Sequence, residues 1–323
     1  MIQLTREEVE AAQDIVYRHV QPTPQYAWPL LCEALGLEVW LKHENHTPTG
    51  AFKVRGGLTY LDALDQAKDE HDLITATRGN HGQSIPYAAR MYDKKVHVFV
   101  PEGNSAEKNA SMKAWGATLH VHGQDFDIAR EAAEARAEAE DLHMVPSFHP
   151  NLIRGVATYG YELMTKVADL DAIYVPIGMG SGAASLIAVR DMLGLPTEIV
   201  GVVSTEADAM ALSLEAGQII ETNSAITFAD GMATRMPNPA AFDVMQTGLE
   251  KIVRVSDDEV AEAVRLIYRT THNVAEGAGA AALAAVAQER EIRQGKRVAA
   301  ILTGGNIDLD WFNTILRGET PVV

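Results

Sequence analysis

The sequence predicts an α/β protein of two lobes, each a mostly parallel sheet flanked by helices, with a ligand cleft between them. Three observations carry that expectation. Short apolar runs alternate with helical segments in two series, one from about Leu73 and one from about Asn151, and such alternation implies parallel strands covered by helices. At 323 residues, 47% of them hydrophobic, the chain has more core-forming material than one lobe needs. Glycine-rich loops follow three of the strands, and open parallel sheets bind ligands at strand C-terminal ends.

The elements follow in order. Thr5 and Glu8 have the spacing of a capping box, so a first helix is expected from Arg6 to about His19, ended by Gln21-Pro22-Thr23-Pro24. Glu38 to Lys42 alternates as a short strand, and Lys53 to about Ala67 reads as a helix with Leu58, Leu61 and Leu64 on one face. Strands are expected at Leu73–Ala76, Val96–Val100 and Ala117–Val121, with helices at Gln83–Met91 and Ala106–Ala114 between them. Asp125 to Glu140 is an Ala- and Glu-rich amphipathic helix whose charge run is a solvated face. The second series offers helix Leu152–Val167, strand Ala172–Pro176, helix Gly182–Leu193 and strand Glu198–Val203. Strand Lys251–Val255, a helix capped by Ser256 with Glu259, an Ala-rich helix Gly277–Gln288 and strand Arg297–Leu302 complete it. No repeat or low-complexity linker interrupts the pattern.

Charge and cysteine usage narrow the function. Lys+Arg 27 against Asp+Glu 44 gives a net charge of -17, which opposes nucleic acid and anionic membranes as partners. Cys32 is the only cysteine, so an intrachain disulfide and a CxxC site are both excluded. The N-terminus lacks a basic-then-apolar leader, and no apolar run reaches the roughly 18 residues of a membrane span. A cytoplasmic location is expected.

Lys53 stands in Thr49-Gly50-Ala51-Phe52-Lys53-Val54-Arg55-Gly56-Gly57. Gly50 allows an unusual backbone turn, and an apolar setting favours a neutral, nucleophilic amine. Alone, this reads first as an ordinary surface lysine at a helix start. Three strand-end loops change the weighting. In Thr77-Arg78-Gly79-Asn80-His81-Gly82, N–H groups at a helix start can converge on a carboxylate, and His81 is either catalytic or a brace for the turn. Gly178-Met179-Gly180-Ser181-Gly182-Ala183 offers free N–H groups and a helix N-terminus to a phosphate. It also fits GxGxxA, a dinucleotide fingerprint, with Glu206 as a candidate ribose ligand. Thr303-Gly304-Gly305-Asn306 places a neutral hydroxyl at the last strand end, beside glycines that let a flat ligand approach. A lysine for an aldehyde, N–H donors for a phosphate and a partner for a pyridine nitrogen together suggest pyridoxal 5'-phosphate.

Nearly the whole chain then resembles the pyridoxal-phosphate fold type II (tryptophan synthase β-like) family, within its serine/threonine dehydratase (ammonia-lyase) and serine racemase branch. TGAFKVRGG, GNHGQS, VPIGMGSG, EGAGAAALAA and LTGGNID occur in the family's order. The resemblance implies that Lys53 is the catalytic Schiff-base lysine and that Phe52 lies against the cofactor. It also implies that Gly178, Met179, Gly180, Ser181 and Gly182 hold the phosphate, with Asn80, Glu276 and Thr303 completing the cofactor site. Thr77, Arg78, Gly79, Asn80 and His81 would hold the substrate. The implied reaction converts a 3-hydroxy amino acid of serine/threonine type to a 2-oxo acid and ammonia. Phenylserine or 3-hydroxyaspartate is the alternative substrate, and an NAD-linked oxidoreductase or a non-catalytic amino-acid-binding protein the more distant alternative.

The resemblance further implies a homodimer, a large domain of residues 1–69 plus 148–323 and a small mobile domain of 70–147. Ser204 and Met210 fall where the family's metal-binding acids stand, so no metal is expected. No chain remains after Val323 for a regulatory domain, so feedback control of that kind is expected to be absent. Arg78 departs from the Ser or Ala of many relatives. Its pKa disfavours an acid/base role, which leaves a substrate carboxylate or a structural ion pair as its partner. Arg130 and Arg154 are further candidates for a carboxylate.

Overall fold

A computed structural model describes residues 2–323. The chain opens with α1 (Arg6–Val16), whose Thr5 side chain caps Glu8 N–H while Glu8 returns to Thr5 N–H. It ends earlier than predicted because the N–H groups of His19 and Val20 both turn back onto the Val16 carbonyl. β1 (Gln25–Ala27), α2 (Pro29–Leu35) and β2 (Glu38–His43) follow, then α3 (Lys53–Gln66). A compact βα series comes next: β3 (Leu73–Ala76), α4 (Asn80–Ala89), β4 (Val96–Val100), α5 (Ala106–Ala114), β5 (Ala117–Val121), α6 (Phe126–Glu140) and β6 (His143–Met144). The chain then returns through α7 (Pro150–Lys166), β7 (Ala172–Pro176), α8 (Ser181–Leu193), β8 (Glu198–Ser204) and α9 (Ala209–Ala216). A 3-10 turn, Asp230–Met232, precedes α10 (Pro239–Gly248), β9 (Lys251–Val255), α11 (Asp257–Thr271), α12 (Gly277–Gln288), β10 (Arg297–Leu302) and α13 (Leu309–Leu316).

The strands form two sheets. The six-stranded sheet has the order β1-β2-β10-β7-β8-β9 and is parallel except for the edge pair β1–β2. The four-stranded sheet, β5-β4-β3-β6, is parallel throughout. Period-two alternation assigns side chains to opposite faces. In β10, Val298, Ala300 and Leu302 pack in the core that holds α11 and α12, while Ala299 and Ile301 pack in the core that holds α7 and α8. β4 behaves alike: Val96, Val98 and Val100 join the core under α3 and α4, and Phe99 joins the alanines of α6. Ala129, Ala133 and Ala137 are the buried face of α6, and its charges lie on the rest of it.

α3 stands between these layers. A Cβ on Gly56 would meet the Leu152 carbonyl of α7 at 2.7 Å, and one on Gly57 the Ser84 carbonyl of α4 at 2.8 Å. The Gly-Gly pair therefore lets α7 and α4 approach α3 closely. Below it lies a charge cluster without solvent. Arg55 donates to Glu44 at 2.8 and 3.0 Å and to Glu162 at 2.6 Å, and Lys42 donates to Glu162 and the Thr23 carbonyl. Two cations and two carboxylates balance, which is the condition for burying them. This cluster fixes the start of α3, two residues after Lys53.

Candidate active site

All the loops singled out above lie after the C-terminal ends of parallel strands: Glu44 to Phe52 after β2, Thr77 to Gly79 after β3, Ile177 to Gly180 after β7 and Thr303 to Asp308 after β10. The β2 and β10 loops are laced together. Phe52 N–H donates to the Thr303 carbonyl at 3.0 Å, Gly305 N–H to the Gly50 carbonyl at 2.9 Å, and Ala51 bridges Gly304. Gly50 adopts φ 69°, and a Cβ there would also strike Asn306 Oδ1 at 2.5 Å. That turn delivers Lys53 to the first position of α3.

Lys53 is enclosed by protein, keeps a partly exposed surface toward the cavities, and lies with Nζ 4.7 Å from the centre of the Phe52 ring. Burial lowers its pKa to about 8, against an upward pull from the Glu276 carboxylate. A cavity of about 390 Å³ beside it is lined by Phe52, Lys53, Asn80, Gly178, Met179, Gly180, Ser181, Gly182, Glu276 and Thr303, together with Gly231 of the 3-10 turn. Every residue that the sequence suggested for a cofactor therefore meets around one space.

The β7–α8 turn is open to an anion. Among the described residues the N–H groups of Gly178 through Gly182 find no protein acceptor, and α8 begins at Ser181 behind them. The Gly178 Cα faces the Gly231 carbonyl so closely that any Cβ would collide with it. Thr303 is buried at the end of β10, and its hydroxyl, without a protein partner among the described residues, opens on the cavity.

A second cavity of about 600 Å³ adjoins the first and shares Lys53, Asn80, Met179 and Gly231 with it. Thr77, Arg78, Gly79 and His81 line it, so the suggested substrate residues also converge. Here the structure refines the sequence reading. α4 starts at Asn80 rather than Gln83, which makes Asn80 and His81 part of its first turn. Thr77 Oγ1 accepts from Gly79 N–H at 2.9 Å and Gly82 N–H at 3.3 Å, so this hydroxyl braces the loop. Burial, then the Lys53 charge, lower His81 to about 3; the imidazole is neutral, and its Nε2 is buried without a partner.

Three residues at or beside the cavities, Lys108, Asp230 and Asn306, are given no role by the sequence. Lys108 on α5 enters the second cavity, 2.5 Å from Asp230 and 3.3 Å from Glu276. Burial would lower its pKa, but the two carboxylates outweigh that and raise it. Burial raises the Glu276 carboxyl, with Lys108 opposing; Oε1 accepts from Asn80 at 2.6 Å, while Oε2 has no hydrogen bond. Asn306 donates to the carbonyl of Thr49 and to Asn80 Oδ1, both at 2.8 Å, and so ties three loops together. The only hint of Lys108 was its position four residues before Met112 on the buried face of α5.

Other candidates lie elsewhere. Arg154 pairs with Glu8 at 3.0 Å and lines neither cavity, which removes it from the carboxylate candidates. Glu206 also lines neither, and its carboxylate accepts from neighbouring Thr205. Ser204 Oγ accepts from Glu206 N–H, and Met210 is buried in the core over α8. No helix among the described residues is long and apolar enough to cross a membrane.

Comparison with known proteins agrees with this geometry. The family described as pyridoxal-phosphate dependent enzyme matches residues 16–304. An L-threonine ammonia-lyase of Thermotoga maritima is 29% identical, over 97% of this chain and 78% of its own length. One from Geobacter sulfurreducens is 30% identical, over 96% and 77%. The crystal structure of a T.th. threonine deaminase superposes with a TM-score of 0.88 at 31% identity, covering 95% of this chain and 99% of that one.

Proposed function

The chain belongs to the pyridoxal-phosphate dependent enzyme family, and from that premise we propose that it is an ammonia-lyase that converts a 3-hydroxy amino acid of serine/threonine type to a 2-oxo acid and ammonia. The observation that carries the proposal is the single cavity shared by Lys53, the Gly178–Gly182 turn and Thr303. The unused N–H groups of that turn, the collision awaiting a Cβ at Gly178 and the unpartnered Thr303 hydroxyl on the same cavity fit pyridoxal phosphate.

Residues 178–182 would hold its phosphate, Phe52 would lie against its ring, Thr303 would face its ring nitrogen, and Asn80 and Glu276 would line the rest. When bound, the group supplies an aldehyde that condenses with amines and a ring that delocalises the electron pair left by a departing proton. The chain's residues do the remainder. Lys53, with its lowered pKa, is competent as the covalent anchor and as the base that takes the Cα proton onto Nζ. The free N–H groups at the start of α4 would hold the substrate carboxylate beside it. His81, being neutral, adds a polar wall without adding charge.

Residues 70–147, the β3–β6 sheet with its helices, are proposed as a small mobile domain over a large domain of 1–69 plus 148–323. Contacts that such a motion would break include Ser105 with Asp308 at 2.5 Å, Glu107 with Leu309 N–H at 3.0 Å and Asp127 with Arg235 at 2.9 Å. A cytoplasmic homodimer completes the reading, with no nucleic acid or membrane as partner. The test is release of 2-oxobutanoate and ammonia from L-threonine by the cofactor-loaded protein. Release by wild type and its loss in Lys53→Ala support the reading; equal release by both contradicts it.

A further inference from the structure

Arg78 resolves differently from every comparable arginine in the chain. It lines the second cavity together with Lys53, and also an outer cavity of about 1060 Å³ that shares Phe126, Met179, Ala233 and Thr234 with it. Two more arginines face that outer space, and both are ion-paired with carboxylates, although Arg130 Nε makes no hydrogen bond. Arg130 pairs with Asp127 at 3.5 Å and Glu134 at 3.7 Å; Arg235 pairs with Asp127 at 2.9 Å and Glu221 at 3.9 Å. Arg78 is only part-exposed, yet makes no hydrogen bond or ion pair with any described residue. Every other buried or part-buried arginine among those residues pairs with a carboxylate. In a chain with 44 acidic residues against 27 basic ones, a guanidinium left without one is an exception. The structural ion pair considered for Arg78 from the sequence is therefore ruled out. Lys108 does not compete for an incoming anion, because Asp230 and Glu276 already hold it.

In the ammonia-lyase reading the N–H groups of Asn80 and His81, which have no protein acceptor among the described residues, would hold the carboxylate common to all amino acids, and this leaves the guanidinium for a group at the far end of the side chain. Deepening the ammonia-lyase reading on which it rests, we propose that Arg78 is a specificity-determining residue that binds a second carboxylate, and that the preferred substrate is a four-carbon 3-hydroxy dicarboxylic amino acid, 3-hydroxyaspartate. A planar guanidinium matches a carboxylate with two parallel N–H donors. One cation balances one carboxylate; a doubly charged phosphate would face Asp230 in the inner cavity and Asp125 and Asp127 in the outer one with a single positive charge. The chemistry balances as for threonine. The Cα–H bond breaks with its proton going to Lys53, the C3–O bond breaks with release of water, and one water returns on hydrolysis, giving oxaloacetate and ammonia.

The test compares kcat/KM of the cofactor-loaded protein for L-threonine, threo-3-hydroxyaspartate and O-phosphoserine in wild type, Arg78→Ala and Arg78→Lys. The expected result is a wild-type preference for 3-hydroxyaspartate over threonine. That ratio should fall about 10- to 100-fold in Arg78→Ala, the range for loss of a charge-assisted hydrogen bond, and by less in Arg78→Lys. Calorimetry adds a readout without turnover: L-aspartate should bind more tightly than L-alanine, and the difference should vanish in Arg78→Ala. A ratio and a binding difference both unmoved by Arg78→Ala overturn the proposal while leaving the ammonia-lyase reading intact. Arg78-dependent preference for O-phosphoserine overturns the carboxylate assignment. If no amino acid yields a 2-oxo acid, the ammonia-lyase reading fails, and Arg78-dependent aspartate binding still decides whether the second-carboxylate site exists.

Discussion

Lys108 Nζ lies 2.5 Å from Asp230 Oδ2, and this pair joins α5 of the four-stranded sheet to the 3-10 turn that packs on the six-stranded one. Both side chains line the cavity beside Lys53, so the ion pair is at once part of the wall and part of the bond between the sheets. Lys108→Met leaves Asp230 and Glu276 without their cation in a buried site. Breaking a buried pair in this way costs about 3–5 kcal/mol. Thermal unfolding of the variant should show a loss of that order, and limited proteolysis should cut residues 70–147 faster than in wild type.

The Arg55 cluster makes a second prediction, about the anchor rather than the wall. Arg55 is fully buried and satisfies Glu44 and Glu162 together. Arg55→Met leaves Lys42 as the only cation for both carboxylates at the base of α3, with an expected cost of about 3–5 kcal/mol in denaturant unfolding. Cofactor affinity should fall as well, because the start of α3 aims Lys53.

The pKa of Lys53 sets a pH dependence. An amine with a pKa of about 8 is roughly one-tenth neutral at pH 7, whereas an ordinary lysine is neutral in fewer than about one molecule in a thousand. Attack on an aldehyde needs the neutral form. The rate of cofactor uptake by the apoprotein should therefore rise with pH to a plateau, with its midpoint near 8 instead of above 10. Glu276→Gln removes the charge that pulls this pKa upward, so its midpoint should lie lower than that of wild type.

His81 predicts how the fold responds to acid. Its pKa is about 3 in the folded chain and ordinary in the unfolded one, so between those values the unfolded state binds the extra proton. Its contribution to stability is present above the unfolded value and is lost as pH falls toward 3. Melting temperature measured from pH 7 to pH 4 should fall less steeply in His81→Asn than in wild type.

How much of this was legible in the sequence depended on the range of the interactions. Strands β3, β4, β5, β7, β9 and β10 have the predicted bounds: buried parallel strands such as β3, β7 and β10 appear as nearly unbroken apolar runs, and the edge strands β5 and β9 mix apolar with polar residues. The Thr5 and Ser256 capping boxes are local signals, and both are present. Lys53 and its loops could be found because glycine-rich turns after strands need particular residues at fixed spacing. β1 and β6 escaped notice because two or three residues carry no periodicity, and α2, α9, α10 and α13 because helices this short do not establish a helical period. Lys108, Asp230 and Asn306 matter through partners more than a hundred residues away, which no local pattern encodes. Arg78 was the reverse case: its oddity was visible in the sequence, but that it lacks a partner is a fact of three dimensions.

The turn after β7 provides a sharp test of the phosphate cradle. Gly178→Ala drives a Cβ into the Gly231 carbonyl, and one side of the turn must move. Equilibrium dialysis should show cofactor affinity reduced by at least about tenfold, equivalent to about 1.4 kcal/mol, with little change in circular dichroism.

The central claim is that Lys53 is the covalent anchor of pyridoxal phosphate. Incubating the apoprotein with the cofactor, reducing it with borohydride and mapping the modified peptide by mass spectrometry tests this directly. The account predicts one stable adduct, on Lys53, and a visible absorption band that the reduction bleaches. A protein that stays colourless, or that carries the adduct on another lysine with Lys53 unmodified, would contradict it.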